Sequence, residues 1–429
     1  MDKIVLIGMP GSGKTTLGKE LTQSRKAAKV VDTDTEVEKT EQLSISNIFR
    51  NKGEQYFRDV ESKILEQQLC GSASLREILI ISTGGGIVLR QKNIDLMREH
   101  AFVIFIDRPI DEIIESVTYN NDRPLLGSKD DLLRLYNERI DLYRNATHVT
   151  ISNNIEELEM VIQLSGAYGN YAVVGDPIAH SISPELHNNT FKKLDINEHY
   201  FAALIKSKYL NSAMKTFRAG SMQGLNVTIP HKLEMAKLVD ELKDDAITSR
   251  AVNTVVKKNG KLYGYNTDME GLKRALSKQG VQYKDSNIIV IGSGGAAMGI
   301  VQKAQDEGAA SITIFCRHPE RISRKAASAC MPQVQRFSIL CDFAALREIN
   351  ILINATPLGM QGYDSDFDDL SFIKALPKDA FVCDLVYNPP ETKLLKAARA
   401  AGLRCCNGYD MLVNQALIAD ELFLGGING

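Results

Sequence analysis

The sequence predicts an α/β protein of more than one domain, and three observations carry that reading. Short aliphatic and β-branched runs alternate with helical periodicity from one end of the chain to the other, the rhythm of parallel sheets covered by helices. Two glycine-rich turns, 8–15 and 292–297, each stand between such a run and a helical stretch. A small, flexible hexapeptide, Ser165-Gly166-Ala167-Tyr168-Gly169-Asn170, interrupts the alternation once and marks a boundary. With 429 residues, about two to four domains are expected.

In the first unit, strands are predicted at 3–7, 78–82 and 102–106, with a short one ending at Asp32. Helices are predicted at 15–24, 54–70, 92–100 and 130–145, and a polar-capped one at 154–164 closes the unit. Phe57, Val60, Ile64 and Leu65 repeat at helical spacing. The second unit opens with a strand at 171–175. Helices follow at 185–194, 209–219, 271–279, 296–307 and 393–401, and strands at 288–291, 312–315, 351–353 and 381–385. The last helix, 411–423, precedes a glycine-rich tail expected to fray.

Composition narrows the class. The chain is 44% hydrophobic and 24% charged, with 31 Gly and 12 Pro, which excludes a disordered, collagenous or coiled-coil protein. Net charge is −2, so no global basic field points to nucleic acid or a membrane surface. Residues 1–165 carry 21 Lys+Arg and 26 Asp+Glu; the remainder carries 30 and 27, a modest asymmetry that fits two units. Seven cysteines, none in a Cys-x-x-Cys pair, form neither a disulfide framework nor a structural zinc site. Free thiols fit a reducing cytosol, and the adjacent pair Cys405-Cys406 reads as buried packing on a strand. The apolar start, 4–7, is too short for a secretory leader, and no apolar run approaches the roughly 20 residues that span a bilayer. A cytoplasmic protein is expected.

Gly8-Met9-Pro10-Gly11-Ser12-Gly13-Lys14-Thr15 fits G-x-x-x-x-G-K-[ST], the P-loop pattern, between a strand and a helix. Its backbone N–H groups and the following helix N-terminus suit phosphate oxygens. Gly11, Ser12, Gly13, Lys14, Thr15 and Thr16 are the candidate ATP-binding residues. Lys14 would serve the β/γ-phosphates, and Thr15 with Asp32 would serve Mg²⁺. Asp32-Thr33-Asp34 places two carboxylates two apart, facing one way at a strand end; Asp34 is the candidate to accept a hydroxyl proton. Arg58 and Glu61 are three apart on a helix, so the carboxylate can hold a guanidinium aimed at an anionic substrate. Gly84, Gly85 and Gly86 expose backbone at a strand's carboxyl end. Arg123, in a polar segment at 119–131, can stabilise charge on a moving phosphoryl group, and Arg139 can add a contact to an anionic acceptor.

In that order, through residues 1–165, these motifs resemble shikimate kinase. The resemblance implies that Asp34 contacts the ring hydroxyls and that Arg58, Arg139 and the 84–86 backbone hold shikimate. One departure is the absence of the proline that usually follows the late arginine, which bears on the local helix geometry and not on the role of Arg139.

In the second unit, Gly292-Ser293-Gly294-Gly295-Ala296-Ala297 fits the Rossmann turn G-x-G-x-x-[GA]. Gly292, Gly294, Gly295 and Ala296 are its candidate cofactor contacts. The next strand ends in Cys316-Arg317-His318, with Arg321 beyond and no acid. Two arginines favour the 2′-phosphate of NADP. Ser181 and Ser183 precede a helix and can bind a carboxylate or simply cap it. Lys232, after Asn226-Val227-Thr228-Ile229-Pro230-His231, and Asp268, after Asn266-Thr267, are of the types that make a proton-transfer pair. His180 and His231 read as supporting or packing groups.

With Ala251-Val252-Asn253-Thr254, Asn354-Ala355-Thr356-Pro357-Leu358-Gly359-Met360, Asp384-Leu385-Val386-Tyr387 and Gly408…Gln415, residues 171–424 resemble shikimate dehydrogenase. The resemblance implies that Lys232 and Asp268 are the catalytic pair. Ser181, Ser183, Asn226, Thr228, Asn253, Tyr387 and Gln415 would surround the substrate, with Thr356 and Met360 along the cofactor. The family commonly has Asn-Arg-Thr where this chain has Cys316-Arg317-His318, so the arginine is kept and its neighbours differ.

The implied α/β architecture is a P-loop kinase domain (1–165), a linker (166–170), a substrate lobe (171–270 with 406–429) and a Rossmann NADP lobe (271–405). The implied function is NADPH-dependent reduction of 3-dehydroshikimate, then ATP- and Mg²⁺-dependent phosphorylation of shikimate, two steps of the chorismate route to aromatic amino acids. Two alternatives stay open. A quinate-type dehydrogenase could be paired with a related small-molecule kinase, or one half could be an inactive, ligand-binding regulatory module. Partners are the small-molecule substrates; the sequence does not set the oligomeric state.

Overall fold

Three sheets organise the chain, in a computed structural model that describes residues 3–24, 28–71, 78–116, 128–179, 181–319, 333–336 and 346–425. The first has five parallel strands: β1 (Lys3–Ile7), β2 (Ala28–Asp32), β3 (Ile78–Ser82), β4 (Phe102–Ile106) and β5 (Val149–Ile151). Their order is β2-β3-β1-β4-β5. Ile4 to Ile7 and all of β4 are buried, because helices cover both faces and leave no solvent side for polar residues.

The second sheet has six strands: β6 (Tyr171–Gly175), β7 (Tyr200–Leu204), β8 (Gly224–Val227), β9 (Glu241–Leu242), β10 (Thr254–Lys258) and β11 (Lys261–Tyr265). The order is β7-β6-β8-β10-β11-β9, with β10 antiparallel to β8 and to β11. Asn259 and Gly260 both take positive φ between β10 and β11, the two-residue turn that matches strand twist in a hairpin.

The third sheet is parallel: β12 (Asn287–Ile291), β13 (Ser311–Cys316), β14 (Gln333–Arg336), β15 (Ile351–Asn354), β16 (Phe381–Asp384) and β17 (Arg404–Asn407). Its order is β14-β13-β12-β15-β16-β17, with β12 central as a Rossmann sheet requires. The last strand runs to Asn407, two residues past the expected edge of this lobe. The closing helix, Tyr409–Phe423, returns to pack on the helices Asp268–Lys278 and Ser183–Lys193.

Several elements differ from expectation. The helix predicted from 54 begins at Ile45, and Gly53 breaks it with φ 85°, which is why the periodicity is readable only beyond that glycine. Asp34 is not on a strand: Asp32 caps a helix, Thr33–Glu41, by accepting from Thr35 N at 3.2 Å, and Asp34 lies in its first turn. The missing proline near Arg139 leaves the helix Lys129–Ala146 continuous.

The largest difference is at the expected linker. The helix Ile155–Ile162 continues into a π-helical turn, Gln163–Ala167, and Ser165 is fully buried. Its carbonyl accepts from Ser221 N at 2.8 Å, and a Cβ on Gly220 would lie 2.5 Å from that oxygen. Ala213, Met214 and Phe217, on the helix Leu210–Ala219, join Leu158, Val161, Ile162 and Leu164 in one hydrophobic cluster that reaches back to Ile4 and Leu6 of β1. Around this core, Ser212 donates to Glu157 at 3.1 Å, Tyr209 to Asn154 at 3.3 Å and Lys206 to Glu156 at 2.7 Å. The hexapeptide is a packed joint, not a tether.

A fragment starting at Tyr171 would therefore expose the face that carries Met214 and Phe217 to water. Burying one such side chain is worth about 1.5–3 kcal/mol. Calorimetry of fragments 154–429 and 171–429 should show the shorter one melting several degrees lower.

Two candidate active sites

The first site forms at the carboxyl ends of β1, β2 and β3. Gly11 and Gly13 hold φ of 83° and 93°, conformations glycine adopts without strain. Lys14 is buried, and its Nζ donates to the carbonyls of Gly8 and Met9 at 2.8 and 2.9 Å, folding the loop around the ammonium. Ser12 is buried; Thr16 follows on the helix Lys14–Ser24. The Thr15 hydroxyl donates to Asp32 Oδ2 at 2.7 Å and lies 3.0 Å from Ser82 Oγ, a set of hard oxygen donors of the kind Mg²⁺ prefers.

Beside the loop lies a cavity of about 300 Å³, lined by Lys14, Thr15, Asp32, Asp34, Arg58, Glu61, Gly84, Gly85, Gly86 and Arg139. Glu61 is fully buried and fixes Arg58 through Nη1 at 2.8 Å; Glu54 accepts from Arg58 Nη2 at 3.1 Å. Arg139 donates to the Gly85 carbonyl at 3.0 Å, as does Tyr143 at 2.5 Å. The glycines are needed sterically: a Cβ on Gly86 would sit 2.3 Å from Arg58 Cζ, and one on Gly84 would sit 2.5 Å from Asp34 Oδ1. Asp34 Oδ1, Glu61 Oε1 and Arg139 Nε, on three residues that line this cavity, are buried and make no hydrogen bond within the protein. Burial, with the Glu61 and Asp32 charges nearby, pushes the Asp34 carboxyl up to about 7; burial also raises Glu61.

The second site lies between the second and third sheets, in a cavity of about 530 Å³. It brings together Ser181, Ser183, Asn226, Thr228, Lys232, Asn253, Asp268, Met360, Tyr387 and Gln415. Lys232 Nζ donates to Asp268 Oδ2 at 2.5 Å. Asn253 Nδ2 donates to the other carboxylate oxygen at 2.8 Å, and Asn253 Oδ1 accepts from Thr267 N at 2.9 Å. The Asn226 amide is committed to the protein, donating to Thr254 Oγ1 at 3.0 Å and accepting from Tyr200 at 2.7 Å. Tyr387 and Met360 are exposed.

A third cavity, about 630 Å³, adjoins the glycine turn and is lined by Gly292, Gly294, Arg317, His318 and Thr356. A Cβ on Gly294 or Gly295 would meet nothing within 4 Å, and Ala296 is exposed, so the turn leaves room for a pyrophosphate at the start of the helix Gly295–Asp306. Met360 faces the second cavity rather than this one. Arg123, Arg321 and His180 lie outside the described residues. Sequence reading missed Tyr143 and Thr33, whose hydroxyl accepts from Gly84 N at 3.0 Å; only tertiary packing brings them to the glycines. Cys405 and Cys406, expected to be buried, are half-buried. No helix among the described residues is long and apolar enough to cross a membrane.

Residues 10–165 match the family model for shikimate kinase, and 173–255 match that for the shikimate dehydrogenase substrate-binding domain. A shikimate dehydrogenase (NADP⁺) of Nitrosopumilus maritimus is 37% identical over 257 residues, 59% of this chain and 93% of the relative. Among solved structures, a shikimate dehydrogenase in complex with NADP⁺ is 33% identical with a TM-score of 0.53, covering 59% of this chain and 89% of that one. The Listeria monocytogenes shikimate 5-dehydrogenase, in complex with shikimate and NAD, is 32% identical with a TM-score of 0.54, over 59% and 91%.

Replacing Arg58 by Ala would strip the buried Glu61 carboxylate of its hydrogen-bonded counter-charge. Denaturant unfolding should show a loss of about 3–5 kcal/mol, and the Arg58→Ala/Glu61→Ala double variant should recover much of it.

Proposed function

We infer, for a chain that belongs to the shikimate dehydrogenase family and carries a shikimate kinase domain ahead of it, that both halves are active and act in sequence. The C-terminal half reduces 3-dehydroshikimate with NADPH, and the N-terminal half phosphorylates the resulting shikimate hydroxyl with ATP. One observation carries the reading: the phosphate loop and the arginines Arg58 and Arg139 open onto one cavity that also holds the unpartnered oxygen of Asp34, so a nucleotide and a hydroxylated anion can meet there.

In the dehydrogenase, Arg317 suits the 2′-phosphate of NADP, and the open turn at Gly294 and Gly295 suits its pyrophosphate; when bound, NADPH supplies the hydride for the ketone carbon. Lys232 presents an N–H to the carbonyl oxygen and yields the proton as the alkoxide forms, while Asp268, fixed by Asn253, keeps the ammonium aimed. Ser181, Ser183, Thr228 and Gln415 bind the remaining carboxylate and hydroxyls.

In the kinase, Asp34 accepts the hydroxyl proton, and the Lys14 ammonium, with Arg123, stabilises charge on the transferring phosphoryl group. Thr15 and Asp32 would hold Mg²⁺, which neutralises phosphate charge. Arg58 and Arg139 grip the acceptor's carboxylate.

Purified protein given 3-dehydroshikimate, NADPH, ATP and Mg²⁺ should oxidise NADPH and yield shikimate 3-phosphate by mass spectrometry. Lys14→Ala should abolish the phosphorylated product and leave NADPH oxidation intact; Lys232→Ala should do the reverse when shikimate is supplied. NADPH oxidation that stops at shikimate would overturn the kinase reading. No oxidation with 3-dehydroshikimate, but turnover with quinate and a nicotinamide cofactor, would favour the quinate-type pairing.

The pH dependence has a definite sign. Asp34 is protonated below about 7, and only the carboxylate accepts a proton. The kinase kcat/KM should therefore rise as pH increases through about 7, and Asp34→Asn should remove that limb along with most of the rate, by a factor of about 10²–10⁴.

A further inference from the structure

Cys383 and Cys406 stand directly opposite each other on the parallel strands β16 and β17, with their sulfurs 3.6 Å apart. Cys383 is buried, whereas Cys406 is half-buried and within reach of solvent. Neither thiol has a part in the chemistry of the two sites. Cys406 is the sulfur that solvent reaches, so it is the one an oxidant meets first. Cys405 alternates to the other face of β17, with Sγ 4.0 Å from the Leu395 carbonyl.

We propose that Cys383 and Cys406 form a reversible disulfide when the protein meets a two-electron oxidant of the peroxide class, and that this disulfide switches off the dehydrogenase half. The Cys406 thiolate attacks one peroxide oxygen and the O–O bond breaks. The leaving hydroxide takes a proton to become water, and Cys406 is left as a sulfenic acid. The Cys383 sulfur then loses its proton and attacks the sulfenic sulfur; the S–O bond breaks and a second water leaves. Two thiols lose two electrons, and one peroxide becomes two waters. Neighbouring strands run about 4.8 Å apart, inside the Cα separation of about 4.4–6.8 Å that a disulfide spans.

The consequence for the cleft follows from what adjoins each cysteine. A disulfide also holds its two Cβ atoms about 3.8 Å apart, closer than the roughly 4.8 Å between neighbouring strands, so closing the sulfurs draws the two strand ends together. Asp384, next to Cys383, is held by Asn354 at 2.9 Å and by Thr392 at 2.5 Å. The residues just beyond, Leu385 and Tyr387 after β16 and Gly408 and Met411 after β17, line the substrate cavity. No slack exists between them: a Cβ on Gly408 would lie 2.1 Å from the Leu385 carbonyl oxygen. Drawing the strands together therefore displaces the cavity wall.

The switch, but not the disulfide itself, rests on the dehydrogenase reading, and the test separates them. Reduced full-length protein is titrated with hydrogen peroxide. Disulfides are mapped by differential alkylation and peptide mass spectrometry, while NADPH-dependent reduction and shikimate phosphorylation are assayed in parallel. The expected result is a Cys383–Cys406 linked peptide whose yield tracks a fall of at least about tenfold in the reductase rate. The kinase rate should hold, and dithiothreitol should restore reduction. Cys406→Ser and Cys383→Ser should each keep the reductase rate through the same treatment, and Cys405→Ser should behave as the parent. A Cys405–Cys406 link, Cys406 ending as sulfinic acid without a link, or a fully formed Cys383–Cys406 link with an unchanged rate would each overturn the proposal. No reductase activity in the untreated protein would instead count against the dehydrogenase reading, leaving the peptide map to decide the disulfide.

Discussion

Parallel strand pairing is the constraint from which both sites follow. In a parallel sheet every strand leads into a crossover, so the carboxyl ends gather helix N-termini and glycine turns along one edge. β1 delivers the phosphate loop there, β2 delivers Asp32 and Asp34, and β3 delivers the three glycines. In the second half, β12 delivers the turn at Gly292, β15 leads to Thr356, and β16 leads to Tyr387. The mixed second sheet obeys the same geometry where it is parallel: β6 leads to Ser181 and Ser183, and β8 to Thr228 and Lys232. Residues scattered over hundreds of positions converge because their strands point the same way.

Much of this was legible in the sequence, for a physical reason. Phosphate and dinucleotide turns place glycine and lysine at fixed spacing, because one local backbone path must present several N–H groups to one ligand. Lys232 and Asp268 were readable as a pair only through family resemblance, since their contact is tertiary. Other features could not be read. The short helix Thr33–Glu41 has weak apolar periodicity, and its start depends on the Asp32 cap. From sequence alone, the triple glycine signifies backbone exposure. The structure adds a second cause, the close approach of Arg58 and Asp34, which no local pattern encodes. The hexapeptide 165–170 reads as a linker because small residues mark both flexible linkers and tight packing; only the burial of Ser165 against Gly220 distinguishes the two.

Two ion pairs, one buried and one half-open, serve different ends. Glu61 is held without solvent beneath Arg58, a costly arrangement that fixes the guanidinium's direction. Lys232 and Asp268 are paired in a half-open cleft, where a ligand can reach the pair. The first is a rigid mount and the second an accessible contact, as their difference in exposure shows.

The packed joint also has a consequence for synthesis on the ribosome. The first sheet and its helices are complete once Ile162 has emerged, yet the outward face of the helix Ile155–Ile162 is covered only when the helix Leu210–Ala219 follows. At about 5–20 residues per second, the nascent first half waits several seconds with an oily seam open, a window in which a chaperone can hold it. After that, the seam ties both halves to a single lifetime in the cell: a lesion that loosens it condemns both to the same protease.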